Sequence, residues 1–498
     1  MPRFLIALAV LVAAVSSALS AERPNFVIIM ADDLGYGDVH GLNPDSRLAT
    51  PNLDALMKSG ATFTDAHTPS AVCTPTRYGL LTGRYCWRTR LKRGVQDGYG
   101  TPLIEKDRPT IASFLKSHGY HTGIVGKWHL GLSFVRPKGA EIDYSRRLTH
   151  TPNDVGFEDS LIIPASLDFP PYVYVKNRNV TGLTQRTQSA QKFPAFLRKG
   201  PIASDFDMEN CLDHLTENAV NFISESAKGE KPFFLYFPLT APHKPVLPHK
   251  RFRGKTGLGP YGDFVTQVDW TVGQVMKAID DAGVRENTFV LYTSDNGSFM
   301  YRKDDPNEKG HVDDETIQAF RADRHRANGP FRGTKADIWE AGHHVPFFVR
   351  WPNHTKGGYK CSAPICLTDV FATIASVIKE KLPKGAAPDS NSFTAELHPA
   401  ALQMSRPPII HHSAAGMFAI RSGDWKLILG NGSGGREQPR GKPFEKPYFL
   451  VNVRHDIAEK NNLLDSKENQ DKLKKIAAQL EEAALRIRDN EDWNQKSR

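Results

Sequence analysis

The sequence Asn25-Phe-Val-Ile-Ile-Met-Ala-Asp-Asp33 decides the fold, because an unbroken apolar run ends there in two acids. A short apolar run without alternation is typical of a strand buried on both faces, as in a parallel sheet. Residues 232–238 and 288–293 form similar runs, and the second one leads into Ser294-Asp295-Asn296. Open parallel sheets place their ligands outside the carboxyl ends of their strands. The chain is therefore predicted to carry a polar site at one edge of an α/β sheet.

Helical patterns at residues 50–59, 109–118, 213–227 and 261–281 alternate with these strands, which predicts a doubly wound, mostly parallel central sheet. Residues 131–210 lack a sustained period and are interpreted as an irregular insertion. Residues 381–399 are predicted to be a linker. Four short antiparallel strands and a terminal helix at about residues 466–487 follow it. We divide the chain into a leader (1–20), a main α/β domain (21–380) and a smaller C-terminal α+β subdomain (381–498).

The first 20 residues have the pattern of a signal peptide: Arg3, an apolar core from Leu5 to Val15, and small residues before position 21. The apolar run is too short to cross a bilayer, and no other segment is a transmembrane candidate. We therefore expect an exported protein, periplasmic or secreted, that is not an integral membrane protein. Export argues against a nucleic-acid partner despite the net charge of +9.

The chain has five cysteines, an odd number for an exported protein. Cys361 and Cys366 could bridge a short loop, and Cys86 could pair with Cys211 if the fold brings them together. These pairings would leave Cys73 over. The alternative is that all five cysteines are reduced or buried.

Cys73 lies in the sequence Ala71-Val-Cys-Thr-Pro-Thr-Arg77, which is predicted to open a helix. Thr74 can cap that helix, and Pro75 suits its first position, where no backbone N–H partner is needed. Free N–H groups and the positive end of the helix dipole favour an anion near Cys73. Arg77 lies one turn further on and adds positive charge.

Acids and an amide follow two of the predicted strands: Asp32 and Asp33 after one, Asp295 and Asn296 after the other. Their oxygen atoms are hard ligands, which suit Ca²⁺ or Mg²⁺ better than zinc. Further candidate site residues are cationic or titratable near neutrality: Arg77, Lys127, Lys335, His129 and His243. Together they would form an anion pocket beside a metal ion.

Cys73-x-Pro75-x-Arg77, continued by Leu81-Thr-Gly-Arg84, resembles the signature of the type I sulfatases of the alkaline phosphatase superfamily. The segment Gly119-Tyr-His-Thr-Gly-Ile-Val-Gly-Lys-Trp-His129 is similar to the second signature of that family. The resemblance extends from about Arg23 to about Lys426. It implies an alkaline-phosphatase-like fold and oxidation of Cys73 to formylglycine by a formylglycine-generating or sulfatase-maturating enzyme.

The resemblance also implies a site built around one Ca²⁺ ion, or alternatively one Mg²⁺ ion. Its metal ligands would be Asp32, Asp33, Asp295, Asn296 and the formylglycine at position 73. In the implied mechanism one hydroxyl of the hydrated aldehyde attacks the sulfur of a sulfate ester, and the second hydroxyl later drives the release of sulfate. By the same resemblance, His243 would protonate the leaving alcohol, and Lys335 would contact the bridging oxygen. His129 would take the proton from the second hydroxyl. Arg77 and Lys127 would stabilise the modified residue.

The expected substrate is a sulfated saccharide, because the chain resembles glycan sulfatases of the arylsulfatase and N-acetylgalactosamine-6-sulfatase type and lacks the membrane hairpin of steroid sulfatases. A 6-O-sulfated galactose or N-acetylgalactosamine is the favoured sugar. The insertion and the loop before Lys335 would shape the mouth of the pocket. His411 and His412 are predicted substrate contacts, since the C-terminal part of sulfatases leans over the active site.

Two rival functions use the same sequence features. The first is a phosphonate or phosphate ester hydrolase of the same superfamily, although a two-metal phosphatase would need additional Asp and His ligands. The second is a non-catalytic glycan-binding protein, which predicts the loss of at least one catalytic residue. All six predicted catalytic residues are present in this chain: Cys73, Arg77, Lys127, His129, His243 and Lys335.

Overall fold

The computed structural model describes residues 23–399 and 406–490, so the predicted leader lies outside the described residues. Most of the described chain is built around one large sheet. In chain order the strands are β1 (Asn25–Asp32), β2 (Ala61–Phe63), β3 (Ala66–His67), β4 (His121–Lys127), β5 (Asp159–Ile163), β6 (Val175–Lys176), β7 (Asn179–Val180), β8 (Arg186–Gln188), β9 (Gly200–Ile202), β10 (Phe233–Pro242), β11 (Thr288–Ser294), β12 (Tyr301–Lys303), β13 (Ala319–Arg321), β14 (Phe347–Arg350), β15 (Tyr359–Cys361), β16 (Ile365–Cys366), β17 (Ile409–His412), β18 (Phe418–Ser422), β19 (Trp425–Leu429) and β20 (Phe449–Asn452).

Ten of the described strands form the central sheet, in the order β15-β2-β14-β11-β1-β10-β4-β5-β6-β7. The five central strands, β11 to β5 in that order, are parallel, and every residue of β1, β10 and β11 is buried. This confirms the predicted α/β fold. The sheet becomes antiparallel towards both edges, where β14 pairs with β11 and β6 pairs with β5.

The described helices are α1 (Pro51–Ser59), α2 (Cys73–Thr82), α3 (Ile111–Ser117), α4 (Cys211–Ser226), α5 (Gly259–Asp281), α6 (Glu340–His343), α7 (Val370–Val377) and α8 (Gln470–Asp489). Six of them form two packed groups, one of α1, α4 and α5 and the other of α2, α3 and α7. The predicted linker does not form an exposed connection, because Phe393 and Leu397 are fully buried in the main hydrophobic core.

The C-terminal part forms the predicted small antiparallel sheet, β17-β18-β19-β20, with the terminal helix α8. Side chains alternate between its two faces, as expected for strands. Ile420 and Leu427 pack with Leu480 and Ile487 of α8. Ala419 and Ile428 point the other way and pack against Trp339, next to α6. The small sheet is therefore held between its own helix and the main domain.

A buried ionic cluster lies on the inner face of this small sheet. The Lys426 ammonium is fully buried and lies 3.0 Å from a carboxylate oxygen of Glu340 and 2.8 Å from one of Glu459. Nearby, the His411 ring stacks on His343 of α6 at a centroid distance of 3.7 Å. Because a buried charge is strongly destabilising once its partner is removed, docking of the small sheet stabilises the segment around α6.

All five cysteines lie in the described residues, and each one is a buried free thiol. Neither of the two conceivable disulfides is formed, so the alternative of reduced, buried cysteines holds. Among the described helices, none combines the length and the apolar character that crossing a membrane requires.

Candidate active site

The parallel pairing of β1 with β11 brings the two polar strand ends together. Asp32, Asp33, Asp295 and Asn296 are all fully buried. The backbone N–H of Asp33 donates to Asp295 Oδ1 at 3.2 Å, and Asn296 Nδ2 donates to Asp33 Oδ1 at 2.7 Å. The next residue, Gly297, lies against residue 341, because a Cβ at position 297 would lie 1.7 Å from the carbonyl oxygen of Ala341. The carboxylates and the amide thus converge below the surface.

Two buried cations bind these carboxylates. Arg77 donates through Nε and Nη2 to Asp295 Oδ2, at 3.0 and 2.6 Å. Lys127, at the end of β4, places its Nζ 2.9 and 2.8 Å from the two carboxylate oxygens of Asp32. All four side chains are inaccessible to solvent. These pairs hold the acids in place, because buried charges need partners with good geometry.

Cys73 is the first residue of α2, with Val72 before it, so the predicted cap at Thr74 and first position at Pro75 are wrong by two residues. Its Sγ lies 3.8 Å from Asp32 Oδ1 and 3.4 Å from Lys335 Nζ. Burial raises the pKa of the thiol to about 12, although Lys127 and Lys335 act in the opposite direction. Desolvation therefore outweighs the two ammonium groups, and the thiol is neutral rather than the anion that was expected to be favoured at this helix start.

The loop that carries Cys73 is held by the C-terminal part of the chain. The backbone N–H of Ala71 donates to the carbonyl oxygen of His412 at 2.9 Å, and the Ser70 hydroxyl donates to the same oxygen at 3.0 Å. On its other side, Ala71 accepts a hydrogen bond from the backbone N–H of Ala336. The position of the residue-73 side chain thus depends on strand β17.

Two further residues lie next to the carboxylate of Asp33: Lys335 and His243. Lys335 Nζ is 2.5 Å from Asp33 Oδ1, and His243 Nε2 is 3.5 Å from Asp33 Oδ2. His243 Nδ1 lies 2.5 Å from the carbonyl oxygen of Lys244 and must donate to it, which fixes the ring orientation. Burial lowers the pKa of His243 to about 3, an effect that Asp33 opposes and Lys335 reinforces.

His129 approaches from the end of β4. Its Nε2 lies 2.6 Å from the carbonyl oxygen of Gln96, so this nitrogen carries the proton and Nδ1 is left as an acceptor. Nδ1 is buried and has no hydrogen-bond partner among the described residues. Burial, with the positive charges of Lys127 and Arg77, holds the pKa of His129 well below its usual range. A neutral ring with a free nitrogen can accept a proton.

The residues present fit a hard divalent cation. Asp33 Oδ2 and Asn296 Oδ1 are buried, and neither has a hydrogen-bond partner among the described residues. Such unsatisfied oxygens are destabilising unless another group binds them. One potential ligand atom from each of Asp32, Asp33, Cys73 and His243 lies within 4.8 Å of the others. Two of these four residues are carboxylates, and the free oxygen of Asn296 adds an amide, so the oxygen atoms available at this place have the ligand chemistry that Ca²⁺ and Mg²⁺ prefer.

A cavity of about 300 Å³ opens above these residues. Cys73, His129, His243 and Lys335 line its base. The insertion contributes Ser166, Asp168, Phe169, Phe196 and Arg198, and the remaining lining residues are Val72, Gly94, Val95, Lys244, Ala336, Ala414 and Arg436. A larger surface cleft of about 1040 Å³ lies between residues 102–109 and 153–156. This cleft includes none of the predicted site residues, so it is not the candidate active site despite its larger volume.

Comparison with protein families matches residues 24–379 to the sulfatase family. The chain belongs to the sulfatase family. It is therefore a sulfuric ester hydrolase. It is 33% identical over 513 aligned positions to an N-acetylgalactosamine-6-O-sulfatase of Bacteroides thetaiotaomicron, with 94% of each chain covered. Human arylsulfatase A is 31% identical, with 84% of this chain and 77% of that protein covered.

The fold of this sulfatase is also similar to that of a solved structure from work on the metabolism of multiple glycosaminoglycans by Bacteroides thetaiotaomicron. The TM-score is 0.81 at 31% identity, and the match covers 94% of this chain and 100% of that one. The similarity thus includes the small C-terminal sheet as well as the main domain.

Two predicted residues of the sulfatase lie away from the cavity. His411 is fully buried between His67 and His343, and His412 packs against Trp87 and Phe418. Neither lines the cavity, so the expectation that they contact the sugar is not supported. The C-terminal part does reach the cavity, but through Ala414 and Arg436. A strand presents alternate side chains to opposite faces, and both faces of β17 are covered.

Sequence reasoning missed Asp168 and Arg198, which form an ion pair at the cavity wall. Asp168 Oδ1 is buried without a hydrogen-bond partner among the described residues, and the Arg198 guanidinium lies 3.9 Å from the ring centre of Phe169. A signal was available, because the apolar run of β5 ends just before Asp168. A fifth parallel strand delivers its following loop to the same sheet edge as β1 and β11.

Proposed function

We propose that this sulfatase hydrolyses the 6-O-sulfate ester of a galactose or N-acetylgalactosamine residue in a sulfated glycan. The observation that carries the proposal is the position of residue 73 at the base of the cavity, between the Asp32 carboxylate and the Lys335 ammonium. The choice of sugar is supported by the similarity to an N-acetylgalactosamine-6-O-sulfatase over nearly the whole of both chains.

Two groups complete the proposed site. One divalent cation, Ca²⁺ or alternatively Mg²⁺, would be held by Asp32, Asp33, Asp295, Asn296 and residue 73, and it would supply positive charge next to the sulfate. A formylglycine formed from Cys73 would supply, when hydrated, one hydroxyl to attack sulfur and a second whose deprotonation expels sulfate. The buried, neutral thiol of Cys73 would be a poor nucleophile by itself.

The cations of the chain orient the sulfate group. Lys335 Nζ, 3.4 Å from Sγ of residue 73, can donate to the oxygen that bridges sulfur and sugar. Lys127 and Arg77 neutralise Asp32 and Asp295, and their ion pairs fix both acids without any solvent contact. Such preorganised charge stabilises the negative charge that develops on the sulfate oxygens.

Two histidines move protons in opposite directions. His243 has its Nδ1 bound to a backbone carbonyl, so Nε2 is the nitrogen that can deliver a proton to the departing sugar oxygen. His129 has its Nε2 bound to a backbone carbonyl, so Nδ1 is the nitrogen that can take a proton from the second hydroxyl of residue 73. Each ring thus has one nitrogen fixed by the backbone and one free for chemistry.

The cavity lining offers both polar and apolar contacts for a sugar. Asp168 and Arg198 offer an acceptor and donors for sugar hydroxyls, and Phe169 and Phe196 offer apolar faces beside them. A volume of about 300 Å³ is at the lower end of the range for ligand pockets, which matches one sulfated monosaccharide unit. We further propose that the leader at residues 1–20 directs export to the periplasm or the medium, and that a maturation enzyme oxidises Cys73.

The test compares protein produced with and without a sulfatase-maturating enzyme. Mass spectrometry of the peptide that contains residue 73 should show the aldehyde or its hydrate only in the active preparation. That preparation should release sulfate from 6-O-sulfated N-acetylgalactosamine or galactose faster than from the 4-O-sulfated isomers. Cys73→Ala should be inactive in both preparations. Full activity of protein with only unmodified Cys73 would refute the formylglycine proposal. A preference for phosphate or phosphonate diesters would refute the assigned substrate.

A further inference from the structure

The cavity wall carries two cations that the proposed mechanism does not use. Four cationic side chains line the cavity: Lys244, Lys335, Arg198 and Arg436. Lys335 pairs with Asp33, and Arg198 pairs with Asp168. Within residues 23–399 and 406–490, neither Lys244 nor Arg436 has a carboxylate within ion-pair distance. The cavity therefore has excess positive charge on the side formed by these two residues.

Lys244 is in an unfavourable place for an unpaired ammonium. Its Nζ lies 5.1 Å from the ring centre of Phe196 and 5.6 Å from that of Phe299. Its polar neighbour is Gln318 Oε1, at 3.5 Å, the outer limit of a hydrogen bond. Burial lowers the pKa of Lys244 to about 8, and the charges of Arg436 and Lys335 add to this effect. Cation–π contacts compensate for only part of the lost hydration.

Arg436 is presented to the cavity by a rigid backbone. The N–H groups of Arg436 and Glu437 donate to Asp337 Oδ1, at 2.5 and 3.0 Å. The preceding Gly435 lies against the carbonyl of Ala336, which a Cβ at that position would approach to 2.3 Å. The loop is thus attached directly beside Lys335, while the guanidinium of Arg436 is left available. The backbone of Lys244 is held through its carbonyl oxygen, which accepts a hydrogen bond from His243 Nδ1.

We propose that Lys244 and Arg436 form a subsite for a second anionic group of the substrate, either a sulfate ester or a carboxylate, next to the sulfate that is hydrolysed. Such an anionic group would neutralise the unpaired positive charges of Lys244 and Arg436. The planar guanidinium of Arg436 suits the paired oxygens of either anion. The inference rests on the proposed function, and it narrows the substrate class to saccharides with two neighbouring negative charges. In the proposed mechanism the sulfate ester that is hydrolysed is served by Lys335 and His243 instead.

The test measures kcat/KM of the mature enzyme on matched saccharides that share one 6-O-sulfate. The first pair is 6-O-sulfated N-acetylgalactosamine and its 4,6-disulfated form, which tests a second sulfate. The second pair is two disaccharides in which the neighbouring sugar is a uronic acid or the neutral hexose, which tests a carboxylate. One charge-assisted contact predicts a preference of about tenfold or more for the anionic member of at least one pair.

The ratio within each pair is the readout, since a loss of folded or modified protein affects both members equally. Lys244→Gln and Arg436→Gln should each bring the ratio to about twofold or less. Lys442→Gln is the matched control, because Lys442 is an exposed cation on the same loop as Arg436 and does not line the cavity. This variant should keep the ratio of the wild-type enzyme.

A second measurement separates the subsite from the proposed substrate. Each saccharide is used to inhibit hydrolysis of 4-nitrophenyl sulfate, which gives an inhibition constant even for saccharides that are not hydrolysed. Tighter inhibition by the anionic members, lost in Lys244→Gln and Arg436→Gln, supports the subsite even if the 6-O-sulfate assignment is wrong. The subsite proposal is overturned if charged and neutral members inhibit equally. It is also overturned if the preference for the anionic member survives in both variants. Either result leaves the proposed hydrolysis of 6-O-sulfates standing.

Discussion

Replacing His243 by alanine should slow the hydrolysis of a sugar sulfate far more than that of 4-nitrophenyl sulfate. His243 Nδ1 is engaged by the carbonyl of Lys244 at 2.5 Å, so only Nε2 can serve the departing oxygen. A sugar alcohol is a poor leaving group without a proton, whereas nitrophenolate leaves readily. General acid catalysis is worth about 10²–10⁴-fold, or about 3–5 kcal/mol of transition-state stabilisation. That factor should be lost for the sugar sulfate and largely spared for the aryl sulfate.

The assignment requires His243 to gain a proton on Nε2 when the substrate binds, because a neutral ring whose Nδ1 donates to the backbone carries none there. Burial lowers the pKa of the ring to about 3, with Lys335 acting in the same direction and Asp33 in the opposite one. The ring is therefore neutral at pH 7 before substrate binds. A bound sulfate ester brings negative charge next to Nε2, and this charge favours the protonated ring that the reaction needs.

The assay determines kcat and KM for both substrates with the wild-type enzyme, His243→Ala and a control, His455→Ala. His455 is exposed and lies in the C-terminal subdomain, so the control should match the wild type. Thermal unfolding of each variant verifies that it is folded. The reasoning is refuted if His243→Ala reduces kcat on both substrates equally with unchanged KM. The proton donor would then have to be another group of the cavity, with Lys335 the first to test.

Three further predictions concern the metal and stability. Chelation of the proposed divalent cation should abolish activity, and Asp295→Ala should lose the ion. Elemental analysis checks this, and finding two zinc ions per chain would favour the phosphatase alternative instead. Arg77→Met should lower the free energy of unfolding by about 3–5 kcal/mol, because it leaves Asp295 buried without its cation; a loss below about 1 kcal/mol in urea denaturation would contradict this. Burial lowers the pKa of His412 from 6.5 to about 4, so the unfolded chain takes up the proton first as the pH falls. The contribution of His412 to stability is thus present above pH 6.5 and lost towards pH 4. Between about pH 7 and pH 5 the free energy of unfolding of the wild type should fall by about 2 kcal/mol more than that of His412→Asn. Equal losses would show that His412 does not cause the pH dependence.

The sequence predicted those parts of the site that depend on local order along the chain. Asp32 and Asp295 each follow an apolar run, and parallel pairing of two such strands must bring their ends together. The motif around Cys73 placed this residue at a helix start, although the start was misjudged by two residues. Val72 adopts an extended conformation and ends the loop, so no side-chain cap was available to mark the boundary.

The parts that could not be predicted depend on contacts between distant segments. Asp168 and Arg198 lie in an insertion without a period, and their pairing across the cavity wall follows only from the tertiary fold. Arg436 reaches the cavity because its loop is attached to Asp337, about a hundred positions earlier in the chain. The adjacent pair His411 and His412 could equally have faced the sugar or the core, since a shift of one residue exchanges the faces of a strand.

The attachment of strand β17 to the loop before Cys73 limits the time available for modification of this residue by another enzyme. In the folded chain Cys73 is 2% exposed, and the carbonyl of His412 holds both Ser70 and Ala71. The ribosome completes His412 long after Cys73, and at roughly 5–20 residues per second the interval is tens of seconds. During that interval the strand that seals the loop does not yet exist. The proposed maturation enzyme would therefore compete with the folding of the last segment of the chain, and slower translation or a delayed C-terminus should raise the modified fraction.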